Sequence, residues 1–131
     1  MKKQAFGMII GLSIQYLLGL GANLFVEFPV SGSRAAMFTI AWSHFLTASH
    51  IVLGLGLLLG SIAFLMRAHK LRASWVTGAA WIGFLAIFVA GYSGETFVVE
   101  QKDVYSFIMG VAFIVALLAY GWVLTQVHSD Q

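Results

Sequence analysis

The chain has 131 residues, of which 60% are apolar and 9% charged, with a formal charge of +2 and a mean hydropathy of +0.93. Soluble domains carry about 45–50% apolar and about 25% charged residues, so these values exclude an ordinary soluble domain and point to lipid as the solvent. The absence of cysteine removes disulfides, thiolate metal sites, iron–sulfur clusters and covalently attached c-type haem, leaving His, Met, carboxylates and Tyr for any metal chemistry.

A window of about 19 residues finds apolar stretches at 5–26, 37–66, 73–92 and 104–125. Each is long enough to cross a hydrocarbon core of about 30 Å as a helix. Backbone N–H and C=O groups must be paired in lipid, and the runs are continuous, without the alternation of a barrel strand. The expected class is therefore all-α: a polytopic membrane protein in which residues 1–131 form one domain of four transmembrane helices. Short connections favour an antiparallel, up-down-up-down bundle.

The first stretch follows Lys2 and Lys3, as in a secretory signal peptide. It is nevertheless as long as a full span and lacks an A-x-A type of cleavage site around Gly21 to Asn23, so it is expected to remain as a helix. It carries Gly7-x-x-x-Gly11 and then Gln15, a packing ridge that is also one route to a homodimer. The loop "EFPVSGSRAA" holds the only proline, Pro29, and a turn signal at Gly32.

The second stretch contains two histidines, His44 and His50, in "AWSHFLTASHIVLGLGLLLG". Imidazole in so apolar a setting is costly unless it has a partner. With each helical residue advancing about 100°, Thr39, Ser43, Thr47, Gly54 and Ser61 fall within roughly 60° of His50, so His50 is expected to face protein, near the bilayer midplane. His44 projects about 120° away and about 9 Å nearer the outer surface, beside Trp42. As one helix, 37–66 would rise about 45 Å, so its ends must tilt or protrude.

The turn "RAHKLR" follows, then a third span with small residues at Ala79, Gly83, Ala86 and Ala90, the loop "SGETFVVEQKD", and a fourth span with Ser106, Met109, Gly110, Phe113, Tyr120 and Gly121 on one ridge. Tyr105 and Trp122 are placed as interfacial anchors, and Met8, Met37 and Met66 as packing or lipid-facing residues. Lys2, Lys3, Arg67, Lys70 and Arg72 concentrate at one end, while Glu27, Glu95, Glu100 and Asp103 lie at the other. The positive-inside rule then puts both termini in the cytoplasm. The charge of +2 thus describes a polarised molecule and implies no nucleic-acid partner. The basic turn is chiefly a topology signal, with contact to anionic headgroups as its functional reading.

Three chemistries use these residues. Haem b needs two axial ligands from opposite faces, which His44 and His50 on one helix cannot supply together. A homodimer pairing its second helices, or a His/Met site using Met109, would complete the coordination. A transition-metal chelate wants His at i, i+3 or i, i+4, and this i, i+6 pair diverges; Glu95 or Glu100 approaching His44 would be needed. Proton passage, or a hydrogen bond to a quinone head group, would use His50 with the polar stripe of Ser43, Thr47, Ser61 and Gln15. Against these stands a purely structural role, in which His50 donates to a carbonyl or to Gln15 of a neighbouring helix. No GxSxG, P-loop, HExxH or dinucleotide motif occurs, and catalysis by this chain alone is not expected.

"SHIVLGLGLLLGSIAFLMRA", "AGYSGETFV" and "SFIMGVAFIVALLAYGWVL" resemble a group of uncharacterised small bacterial four-helix membrane proteins. The shared features are a histidine entering a glycine-spaced second helix (His50), a G-x-x-F turn (Gly94, Phe97) and a serine-methionine start to the fourth helix (Ser106, Met109). The resemblance implies the fold and a bacterial inner membrane, and no activity. The leading functional expectation is a haem-binding or redox membrane subunit, electron-transferring or quinone-linked. The alternative is a non-catalytic structural or assembly subunit, and a small proton-linked transporter is third. In each case the bilayer and a homo-oligomer or larger membrane complex are the expected partners.

Overall fold

The computed structural model describes residues 1–28 and 32–129, with side chains to 126. Pro29, and the side chain of His128, lie outside the described residues. Five helices follow in order: α1 (Lys2–Phe25), α2 (Arg34–Ser43), α3 (Phe45–Leu71), α4 (Ser74–Glu100) and α5 (Asp103–Ser129). The protein is all-α. Four of its helices are long and apolar enough to cross a membrane, at Lys2–Phe25, Phe45–Leu71, Ser74–Glu100 and Asp103–Gln126.

The second apolar stretch is not one helix. The Ser33 hydroxyl caps α2 by accepting from the Ala36 N–H at 3.3 Å, and the chain then leaves helical geometry at His44 (φ −97°, ψ 125°) before α3 begins. A continuous helix over 34–71 would be about 57 Å long, nearly twice a hydrocarbon core of about 30 Å. The break divides that length into a ten-residue segment and one span. The buried Met37 and Ala41, one turn apart, seat α2 against its neighbours α3 and α4.

The third span is longer than its hydropathy suggests. Helix α4 continues through "SGETFVVE" to Glu100 and stops only where Gln101 turns left-handed (φ 54°). The expected eleven-residue loop reduces to Gln101 and Lys102. Polar side chains in the added turns are satisfied locally: the Thr96 hydroxyl donates to Tyr92 O at 2.9 Å, and Arg34 holds Glu95 at 2.8 Å. At the opposite turn Arg72 also adopts a left-handed backbone (φ 54°), between α3 and α4.

The long helices close a ring in the order α1, α3, α4, α5, with α3 and α5 on one diagonal and α1 and α4 on the other. The α1–α3 seam is a ladder whose residue numbers rise on one helix and fall on the other: Met8 lies against Gly60, Leu57 against Gly11, Gln15 against Gly54, and His50 against Gly19.

Burial is uneven along the bundle. One continuous cluster is built from α1 residues 5–12, α3 residues 57–68, α4 residues 76–87 and α5 residues 116–123. At its centre Phe64 and Tyr120, both fully buried, meet edge to face with ring centroids 5.1 Å apart. Gly83 permits this packing, because a Cβ there would lie 2.7 Å from Tyr120 Cζ. In the other half, buried side chains such as Ala22, Met37, Ala41 and Ala112 are scattered and do not join the cluster. His50 lies in that half.

Candidate functional site

His50 sits six residues into α3, partly buried, with its ring over Gly19 of α1. A Cβ at position 19 would stand 2.8 Å from the ring Cε1 and 3.2 Å from Nδ1, so only glycine leaves room for the imidazole in this seam. Nδ1 lies 3.1 Å from the carbonyl oxygen of Gln15. A carbonyl only accepts, so Nδ1 carries the proton, and in the neutral ring Nε2 keeps its lone pair. In return the Gln15 side chain donates from Nε2 to the carbonyl oxygen of His50 at 2.9 Å. Each side chain therefore bonds the other residue's backbone, and the two bonds together fix both the separation and the register of α1 and α3. Both accepting carbonyls are already used inside their helices, so the contacts exploit second lone pairs.

The spacing behind this site is simple. Gly11, Gln15 and Gly19 recur every four residues and so form one ridge of α1, while Gly54 lies four residues after His50 and accommodates Gln15 at 3.0 Å from a would-be Cβ. Gln15 is visible in the sequence as the polar member of a glycine ridge. Gly19 was the missed partner, and its place one turn beyond Gln15 was the available signal.

The other candidate residues are dispersed. His44 is exposed at the break between α2 and α3. Because the helix is interrupted there, the angular relation computed for a continuous helix does not apply, and Thr39 and Ser43 do not share the His50 face. They are exposed on α2 and bond their own backbone, Thr39 to Ala35 O and Ser43 to Ile40 O. Thr47 is buried, with its hydroxyl unpaired among the described residues, as is Oε1 of Gln15. Ser61 is fully buried in the cluster half and donates to Leu58 O at 2.6 Å. The Tyr120 hydroxyl also lies there without a hydrogen bond of ordinary geometry, with Ser61 as its polar neighbour.

Met109 sits on α5, across the diagonal from α3, and its sulfur packs against Gly94 of α4, 3.4 Å from a would-be Cβ. His50 faces α1. The structure thus does not bring Met109, His44 and His50 to one point. Nor do the carboxylates converge on His44: Glu95 is engaged by Arg34 at 2.8 Å, and Glu100 by Lys102 at 2.8 Å and the Tyr105 hydroxyl at 3.1 Å. The hydrogen bond to Glu100 holds the Lys102 ammonium above the ordinary lysine range. Among the described residues no three His, Asp or Glu side chains form a group able to hold a metal ion.

No protein-family model, curated protein or solved structure matches this chain. The likeness to small bacterial four-helix membrane proteins therefore rests on the quoted residues alone, and the site must be read from its own geometry.

Proposed function

We propose that this protein is a non-catalytic structural or assembly subunit of a bacterial inner-membrane complex, in which His50 acts as an inter-helix clamp. The observation that carries the reading is the reciprocal pair of bonds between His50 and Gln15 at 3.1 and 2.9 Å. The imidazole spends its one proton on a backbone carbonyl and its ring face on Gly19, which is what a packing role requires. The descending α1–α3 register supports an up-down arrangement, and the five basic residues near one end support cytoplasmic termini. An inner-membrane location follows the resemblance described above.

A second reading keeps the redox expectation alive for a specific reason. Donation of Nδ1–H to a carbonyl is the usual arrangement behind a ligating histidine, because it orients the ring and leaves Nε2 basic. The bond to Gln15 O uses Nδ1 of His50 and leaves the Nε2 lone pair out of it. In this reading Nε2 would hold haem b together with a residue of another copy, since Met109 lies across the bundle. The transport reading has less to support it: the helix break at His44 falls before the apolar span begins instead of in its middle.

One purification separates the first two readings. Protein taken in mild detergent from cells supplied with iron and haem should be colourless and should migrate as part of an assembly larger than its own 14.2 kDa. A Soret band that disappears in His50→Ala would replace the assembly role with the redox one.

A further inference from the structure

We infer that the end of the bundle formed by the start of α1 and the α3–α4 turn is a binding surface for anionic phospholipid headgroups. This inference rests on the membrane placement of the four apolar helices and on neither reading of His50.

The fold joins two distant basic segments. Arg67 donates to the Gln4 side chain at 3.4 Å across 63 residues of sequence, which sets Lys2 and Lys3 of α1 beside the turn that carries Lys70 and Arg72. All five cations are exposed. The chain has seven Lys and Arg in total, and the remaining two, Arg34 and Lys102, are each ion-paired to a glutamate elsewhere. No such pairing is formed by Lys3, Arg67, Lys70 or Arg72 among the described residues. Among the described residues, then, Arg34 and Lys102 are neutralised by glutamates, while Lys3, Arg67, Lys70 and Arg72 form no ion pair at this end.

Two features bear on the partner, and the first points to lipid. First, the cations lie just beyond apolar spans, close to the exposed Trp75 at the start of α4 and to the exposed Trp81, whose ring meets His69 edge to face at 6.3 Å; tryptophan settles at headgroup depth. Helices α1 and α4 both start here, with no acidic residue in the first turn and no side-chain cap, so their free N–H groups add to the attraction for phosphate. Second, Arg72 holds a left-handed backbone, a conformation that glycine adopts without strain and arginine does not. Gln101 adopts the same conformation at the opposite turn, so the strain does not select a ligand; it sets an exposed guanidinium at the tip of the turn between α3 and α4.

The strain also supplies a discriminating variant. Arg72→Gly removes the charge while relaxing the turn, so it should fold at least as well as the parent. The chain has no cysteine, so a single introduced cysteine reports the orientation of each variant in the membrane and separates altered binding from inverted insertion. The protein is reconstituted in nanodiscs of phosphatidylcholine with a minor share of phosphatidylglycerol, and co-purifying lipid is measured by native mass spectrometry. The parent should enrich phosphatidylglycerol over its bulk fraction. Arg72→Gly should cut that preference by up to about fivefold, the scale of one basic residue near a charged surface. Lys3→Gln with Lys70→Gln and Arg72→Gly should abolish it. Competition by inorganic phosphate at millimolar concentration would assign the surface to free phosphate instead of lipid. Equal retention of both lipids by the parent, or unchanged enrichment in the correctly oriented triple variant, overturns the inference.

Discussion

The two halves of the bundle solve the problem of packing in lipid differently. Around Phe64 and Tyr120 the four long helices interdigitate into one continuous cluster, with Gly83 admitting the tyrosine ring and alanines at 79, 80, 86 and 116 letting backbones approach. Around His50 the buried residues are scattered and do not join the cluster, and hydrogen bonds link α1 to α3. Lipid tails are as apolar as leucine, so neither half gains from expelling water, and close dispersion contact or specific polar bonds must hold helices together. The comparison teaches that the histidine belongs to the half where steric packing specifies least.

Substitutions can break this contrast, and the largest effect is expected in the cluster half. Phe64→Ala removes a fully buried ring and should cost about 3 kcal/mol in reversible unfolding from mixed micelles; a loss below about 1 kcal/mol would mean that the cluster does not anchor the fold. Gly83→Ala should follow at about 1–3 kcal/mol, because its Cβ would stand 2.7 Å from Cζ of the fully buried Tyr120. Gly7→Ala is its control: nothing lies within 4 Å of that position, and the change should be neutral or slightly stabilising through helix propensity.

In the His50 half the effects should be smaller and coupled. His50→Leu and Gln15→Leu, measured singly and together, should show a coupling energy of about 0.6 kcal/mol and no more than about 1.7 kcal/mol. Strict additivity would show that the two bonds do not act as a unit. Gly19→Ala, which places a methyl 2.8 Å from the ring, should abolish that coupling by displacing the imidazole. Smallest of all is the link from α2 to α4: Arg34→Gln should cost at most about 0.5 kcal/mol, since both members are well exposed, at 67% and 41%. That effect should vanish in high salt. A larger, salt-independent loss would give α2 a structural weight that its two buried residues do not suggest.

Parts of this arrangement were legible from residues alone and parts were not, for identifiable reasons. The ridge containing Gly11 and Gln15 and the bonding capacity of His50 both follow from side-chain chemistry and helical spacing, so a bond between the two was open to inference. The break at His44 was hidden because Trp42, Ser43 and Phe45 include neither glycine nor proline, and a long hydropathy window averages over the polar Ser43 and His44. The extension of α4 to Glu100 was obscured by the polar and β-branched residues of "SGETFVVE", which read as a loop until Arg34 and the local backbone satisfy them.

What the amino-acid order determined unaided is the solvent and the secondary structure it forces: uninterrupted apolar stretches with so few charges must hydrogen-bond their own backbone as helices. It also put five of the seven Lys and Arg in two segments, residues 2–3 and 67–72, apart from Glu27, Glu95, Glu100 and Asp103. Only the tertiary structure decided which helices are neighbours, that His50 meets Gly19 and Gln15 while Met109 lies across the diagonal, and where the second apolar stretch divides. These depend on contacts between residues distant in sequence, where one Cβ or one carbonyl lone pair selects among packings that hydropathy rates as equal.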